Sequence, residues 1–578
     1  MIMYAHLAPE VLLVSLALLG ALAYPQLGNS TFRRLERALA SVARRRTLSV
    51  LICGLSALAL RLAVLPWLPI PLPYINDEFS FLLAGDTFAH RRLTNPPHPM
   101  WIHFETFHVI FHPTYASMYP PLQGMILAAG TVIAGHPFWG VWFSVGLMCA
   151  AFCWMLQGWF PPTWAFLGGM LPVLRFGVLT YWDNSYWGGA LPAMGGALLL
   201  GALPRIMRQQ KVRDAALMAI GIAMLANTRP YEGMMLALVV GTRLAIWIIR
   251  EKPPMIPLLR RVALPMVLLL GLMGSATTFY FWRVTGNPFT LPQQVNRDAY
   301  AIAKYFYWQR PYLEPAYHHK ELRDFYHREY SDFRQAKTIP SVPQFLLMGT
   351  RIWIFYIAPI MSIPLFFLGT VIRDRRIRFL IIAGAAGFAS SALVVFFNIH
   401  YFAPVTCAVV ALLLQCMRHL RLWKFEGRPA GLFLVRAIVV MSILMVGIET
   451  HILTTAPTPG SWEALAPDRA KITGQLESAP GPQLVLVHYS PDHDCMHEWV
   501  YNLADIDHQK VVWARDMGPE QNQEILRYFN SRQAWILEAD ARPPRLASYS
   551  EAITQASTKL AGISDSGKQS TPTNGIAK

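Results

Sequence analysis

The chain reads as an α-helical polytopic membrane protein of about 12–13 transmembrane helices, closed by a small C-terminal α/β domain. Three observations predict this. Charge is depleted: 15% of the 578 residues are charged and 54% are hydrophobic, whereas soluble domains carry about 25% charge. Apolar runs of about twenty residues recur, the length that crosses a bilayer as a helix. The basic residues gather in short runs beside those segments, at Arg33–Arg46, Arg205–Arg213, Arg250–Arg261, Arg373–Arg378 and Arg418–Arg428. That is the positive-inside pattern, so the net charge of +16 marks membrane orientation and no nucleic-acid face.

The expected spans are 7–25, 48–68, 119–135, 138–157, 163–180, 188–204, 213–227, 230–250, 260–281, 344–370, 378–397, 401–418 and 431–452. The N-terminus has no basic segment before its apolar run, so it reads as a first spanning helix and not as a cleaved signal. The six cysteines lie mostly inside apolar runs and form no CxxC pair, which argues against a disulfide framework or a zinc knuckle. With the arginine runs inside, four stretches fall outside: Tyr74–Pro121, Tyr181–Gly189, Trp282–Gln344 and Asn398–Pro404. One count does not close. Three spans lie between Pro121 and Tyr181, yet both ends are assigned outside. Either one segment there does not fully cross or one is broken into two short helices, and the Gly- and Pro-rich stretch Gly168–Gly201 is the expected place, because irregular backbone at membrane depth is tolerated where it is buried in protein or lines a cavity.

The expected organisation is an extra N-terminal helix and basic cytoplasmic loop over 1–47, a transmembrane catalytic domain over 48–452, an extracytoplasmic α/β domain over 453–563, and an unstructured tail over 564–578. Large outside loops occupy 70–118 and 282–344. In the tail, LVLV, VVW and AWIL are short apolar runs bounded by turn residues, as buried strands are. The expected location is the inner (plasma) membrane.

The stretch Tyr74–Pro121 is long, aromatic and acid-bearing, unlike an ordinary connection. It carries Asp77 and Glu78, then Asp86, Glu105, His90, His98, His103, His108 and His112, and a YPP turn. An acidic pair with arginines at a membrane surface suits transfer from a lipid phosphate. A carboxylate takes a proton from an acceptor hydroxyl while cations hold the leaving phosphate. Each feature has a plainer reading. Asp77 is also a candidate N-cap for a helix over Glu78–Ala89, and Arg229 also fits an interfacial anchor. The first-loop histidines, and the tail cluster His488, Asp492, His493, Asp494, Cys495, His497 and Glu498, have metal-ligand composition without metal-ligand spacing. Asp183 is open between second acid, cap and metal ligand. The charged stretch His318–Arg334 reads as an amphipathic helix, either a solvated face or an interfacial helix.

The pair in YINDEFSFLLAGDTF, followed by YPPLQG opening the next helix, resembles the integral-membrane GT-C glycosyltransferases. More narrowly it resembles the family-39-like group of protein O-mannosyltransferases, aminoarabinose transferases and RgtA/B/C/D-like enzymes. The resemblance in motif covers about 48–135. It implies a polyprenyl-phosphate-linked sugar donor and a lipid, glycan or protein acceptor, with inversion at the sugar. It places the family's catalytic loop carboxylate on Asp77, with Glu78 beside it, as general base or as an electrostatic and positioning group. The donor phosphate would then take Arg229, Arg297, Lys304 and Arg310, in falling order, while Tyr119 and Tyr401 sit at helix mouths. His103, Glu105 and Asp183 complete the candidate substrate-binding set. This reading names no cofactor and leaves a divalent metal open. The alternative is a transporter or flippase for a lipid-linked or anionic solute, which would place its acids near the bilayer midplane and show internal repeats. A third is a receptor whose function survives loss of Asp77.

Overall fold

The computed structural model describes residues 6–338, 341–455 and 465–551. The expected unstructured tail over 564–578 lies outside them. Among the described residues, eight helices are long and apolar enough to cross a membrane, from Arg46–Val64 to Ala430–Thr455. Shorter apolar helices follow the same pattern at Leu7–Ala23, Pro121–Ala134 and Arg378–Ala392. The chain is thus a multi-pass α-helical membrane protein with a small C-terminal sheet, and each expected span coincides with a helix.

Helix ends sort onto two faces. Arg46–Val64 and Phe138–Leu156 run antiparallel: Leu58 meets Gly146, and Gln157 donates 2.9 Å to the carbonyl of Arg46 at the arginine-rich end. Such close approach needs glycine, since a Cβ on Gly146 would stand 2.6 Å from Leu58 Cδ2. Leu7–Ala23 is anchored at the opposite face by Glu10, which accepts from Arg175 at 3.1 Å and from the Ile360 N–H at 3.1 Å.

The crossing count closes at a different place from the one expected. Pro162–Phe176 and Ala190–Gln209 both run face to face, and Gly177–Gly189 joins them as buried irregular backbone. The segment that fails to cross is Pro121–Ala134. Both its ends sit beside Tyr186: Gln123 donates 2.8 Å to the Tyr186 carbonyl, and the His136 ring lies 6.3 Å from the Tyr186 ring. It packs instead on the helix Asn76–Ala89, where a Cβ on Gly124 would stand 2.6 Å from Ala84 Cβ. The expected basic loop also contains a helix, Asn29–Arg44, whose Glu36 pairs with Arg436 at 2.8 Å.

Six strands are present among the described residues. Two short ones, β1 (Val109–Ile110) and β2 (Ala116–Ser117), pair antiparallel inside the first loop. The tail carries β3 (Gln483–His488), β4 (Val511–Arg515), β5 (Gln533–Glu538) and β6 (Arg545–Ser548) in the order β4-β3-β5-β6. The first three are parallel and β6 is antiparallel. Strands β3, β4 and β5 fall on LVLV, VVW and AWIL. Strand β6 was not expected, since RLAS carries little apolar signal. The tail and the first loop share one core: Leu83, Phe104, Phe111 and Tyr115 pack with Leu484, Leu486, Val512 and Ile525.

Candidate functional site

The helix Asn76–Ala89 opens on Ile75, not on Asp77. Its start is fixed by Glu78, the third helical residue, whose Oε2 accepts from the backbone N–H groups of Tyr74 (3.0 Å) and Ile75 (3.1 Å). Glu78 Oε1 accepts from the Tyr186 N–H at 2.9 Å. The side chain is fully buried, and burial raises its carboxyl to about 7 against the pull of those three donors. The N-cap reading of Asp77 is therefore corrected: the carboxylate that satisfies the helix start belongs to Glu78. Asp77 is left free to face outward, where Tyr119 donates its hydroxyl to Asp77 Oδ1. Tyr119 is itself held by stacking on Phe81 at 4.3 Å.

Asp77 and Tyr119 line a cavity of about 950 Å³ on the face opposite the arginine runs. Arg229, Arg297 and Tyr401 line it too, as do His108, Glu232, His400, Glu329, Asp332 and Arg351. The Arg229 guanidinium lies 4.3 Å over the Tyr401 ring, a cation–π contact that orients it inside the cavity. Arg297 pairs with Glu329 at 2.6 Å and donates 2.5 Å to the carbonyl of Ala303. The structure thus brings together Asp77, Tyr119, Arg229, Arg297 and Tyr401 from four separated stretches.

It does not bring in the others. Lys304 stacks on Tyr312 at 3.0 Å, and Arg310 is exposed; neither lines the cavity. Asp183 is buried beside Arg61, 3.9 Å away, with neither oxygen hydrogen-bonded. Glu105 accepts from Tyr300 at 2.7 Å and pairs with His318 at 2.9 Å, and His103 lies 3.5 Å from the Arg515 carbonyl. This group stands at the junction of the loop with the tail. The tail cluster pairs off instead of converging: His488 with Asp516 at 2.7 Å, His493 with Asp540 at 2.8 Å, Asp494 with Arg328 at 3.3 Å. Among the described residues, no three His, Cys, Asp or Glu side chains are grouped so that they could hold a metal ion.

The sequence reading passed over Glu329, Arg328 and Asp332. They lie on the amphipathic helix Lys320–Thr338, which forms a wall of the cavity, with Leu322, Tyr326 and Phe333 buried beneath it. The signal was present as spacing: those three apolar positions recur at helical intervals. One tail residue, Met496, also reaches the cavity.

Three solved structures align along most of this chain, each at a TM-score below 0.5. ArnT from Cupriavidus metallidurans bound to undecaprenyl phosphate aligns over 84% of this chain and 92% of its own, at 12% identity and a TM-score of 0.49. The apo state of the same protein aligns over 88% and 93%, at 13% identity and a TM-score of 0.46. The Archaeoglobus fulgidus oligosaccharyltransferase tethered to an acceptor peptide aligns over 85% of this chain and 69% of its own, at 11% identity and a TM-score of 0.38. No family model and no curated protein matches the sequence.

Proposed function

We propose that this protein transfers a sugar from a polyprenyl-phosphate donor to a hydroxyl acceptor, with Asp77 as general base. The observation that carries the reading is the cavity itself: the Asp77 carboxylate, held through one oxygen by Tyr119, lines a space shared with Arg229 and Arg297. The motif resemblance around Asp77 and the YPP turn supports the same chemistry.

The acceptor oxygen attacks the anomeric carbon as the bond to the phosphate oxygen breaks. The acceptor proton passes to Asp77, whose second oxygen is not engaged by Tyr119. The departing phosphate keeps the bonding pair, and its charge is met by Arg229, with Arg297 alongside; the guanidinium fork matches phosphate oxygens. Attack from the side opposite the leaving group inverts the sugar. Glu78 acts by holding the helix start that aims Asp77.

The test is sugar transfer by purified protein from a panel of polyprenyl-phosphate sugars, with Asp77→Asn alongside. Transfer from one donor is expected, reduced by a factor of about 100 or more in the variant, with the variant still folded. Full transfer by Asp77→Asn would remove Asp77 from the mechanism. Saturable lipid-phosphate binding without transfer from any donor would favour the transporter reading.

A further inference from the structure

His108 is a cavity residue with a strained backbone. Its backbone stands at φ 61°, a left-handed conformation that non-glycine residues adopt at an energetic cost and that clusters at functional sites. That conformation is pinned. Ser80 Oγ and the Met118 N–H both donate to the His108 carbonyl, at 2.7 and 3.2 Å, and β1 begins at the next residue. His108 lines the cavity, with its ring 5.9 Å from the Tyr119 ring and 5.6 Å from the Phe325 ring.

Its Nδ1 is buried and has no hydrogen-bond partner among the described residues. A buried polar nitrogen is ordinarily satisfied. Burial dominates over the nearby charges of Asp77 and Glu329, which favour protonation, and Arg297, which opposes it, so the ring is held neutral. A neutral imidazole has one donor and one acceptor nitrogen. That matches a hydroxyl, which can both donate and accept, whereas a phosphate is better met by the guanidinium groups. The flanking Tyr119 and Phe325 rings offer apolar surface to the C–H edge of a sugar ring.

We propose that His108 hydrogen-bonds a hydroxyl of the sugar being transferred and thereby selects among donor sugars. This rests on the transferase reading above. The test compares wild type, His108→Phe and His108→Gln on the parent polyprenyl-phosphate sugar and on donors each lacking one hydroxyl. His108→Phe is expected to lower kcat/KM about tenfold on the parent donor, and His108→Gln to recover part of it. The loss should vanish on the one deoxy donor that lacks the contacted hydroxyl. His108→Ala carries the same comparison if the phenylalanine variant does not fold. No loss on the parent, or an equal loss on every deoxy donor, overturns the contact while leaving the transferase reading intact. Transfer by the wild type from no donor overturns the transferase reading and the contact with it.

Discussion

Two adjacent acids, Asp77 and Glu78, diverge because successive helical residues point about 100° apart. One turns into the protein and saturates three backbone donors; the other meets the cavity. The acidic pair was legible in the sequence, but its division of labour was not, since nothing in the DE dipeptide says which residue is the third of the helix. His319 supplies a test at this scale. Burial and the Arg515 charge lower it from 6.5 to about 3, and its Nε2 donates 2.7 Å to the Ile102 carbonyl. The folded state therefore refuses a proton that the unfolded chain accepts. The stabilisation is complete above pH 6.5 and is lost as pH falls toward 3, at up to about 1.4 kcal/mol per pH unit. His319→Gln keeps a donor without the titration. Its melting temperature should fall less than that of wild type between about pH 7 and pH 5, by an amount worth up to about 2 kcal/mol. Parallel curves for the two proteins would clear His319 of the effect.

At the scale of the element, apolar length located every span, because a bilayer demands it and the composition shows it. Length could not say whether a segment of 14 residues crosses or lies against a neighbour; that is decided by Gly85 and Gly124, which let Pro121–Ala134 press onto the helix of Asp77. Gly124→Ala puts a methyl group 2.6 Å from Ala84 Cβ and 3.0 Å from Phe88 Cε2. The two helices must then move apart, and Asp77 moves with them. A drop in kcat of about ten- to a hundredfold is expected, with donor KM nearly unchanged; an unchanged kcat would mean that the pair absorbs the methyl elsewhere. The helix Lys320–Thr338 teaches the complementary point. Its charged face was easy to read, but whether that face meets water or a cavity depends on what packs above it.

At the scale of the whole molecule, the convergence of outside loops followed from the arginine runs, whereas the union of the tail with the first loop did not. No local pattern signals that Tyr501 will stack on Phe79 at 4.3 Å, or that Arg469 will lie 4.4 Å over the same ring. Asp86 adds a 2.8 Å acceptor for the Ala504 N–H. The tail therefore grips the helix that carries Asp77, two residues from the acid. Tyr501→Ala should lower kcat more than donor affinity, and Tyr501→Phe, which keeps the stack, should retain activity. Equal activity in the alanine variant would show that the tail only covers the site.

Pro121–Ala134, lying flat against its neighbour, has an effect far from the cavity. With the other twelve expected spans crossing, an even number returns the chain to the side on which it started. His6 and the tail then share one compartment. A membrane-impermeant labelling reagent should reach probes placed at both ends of intact cells, or at neither; labelling of one end alone would mean that the short helix crosses after all.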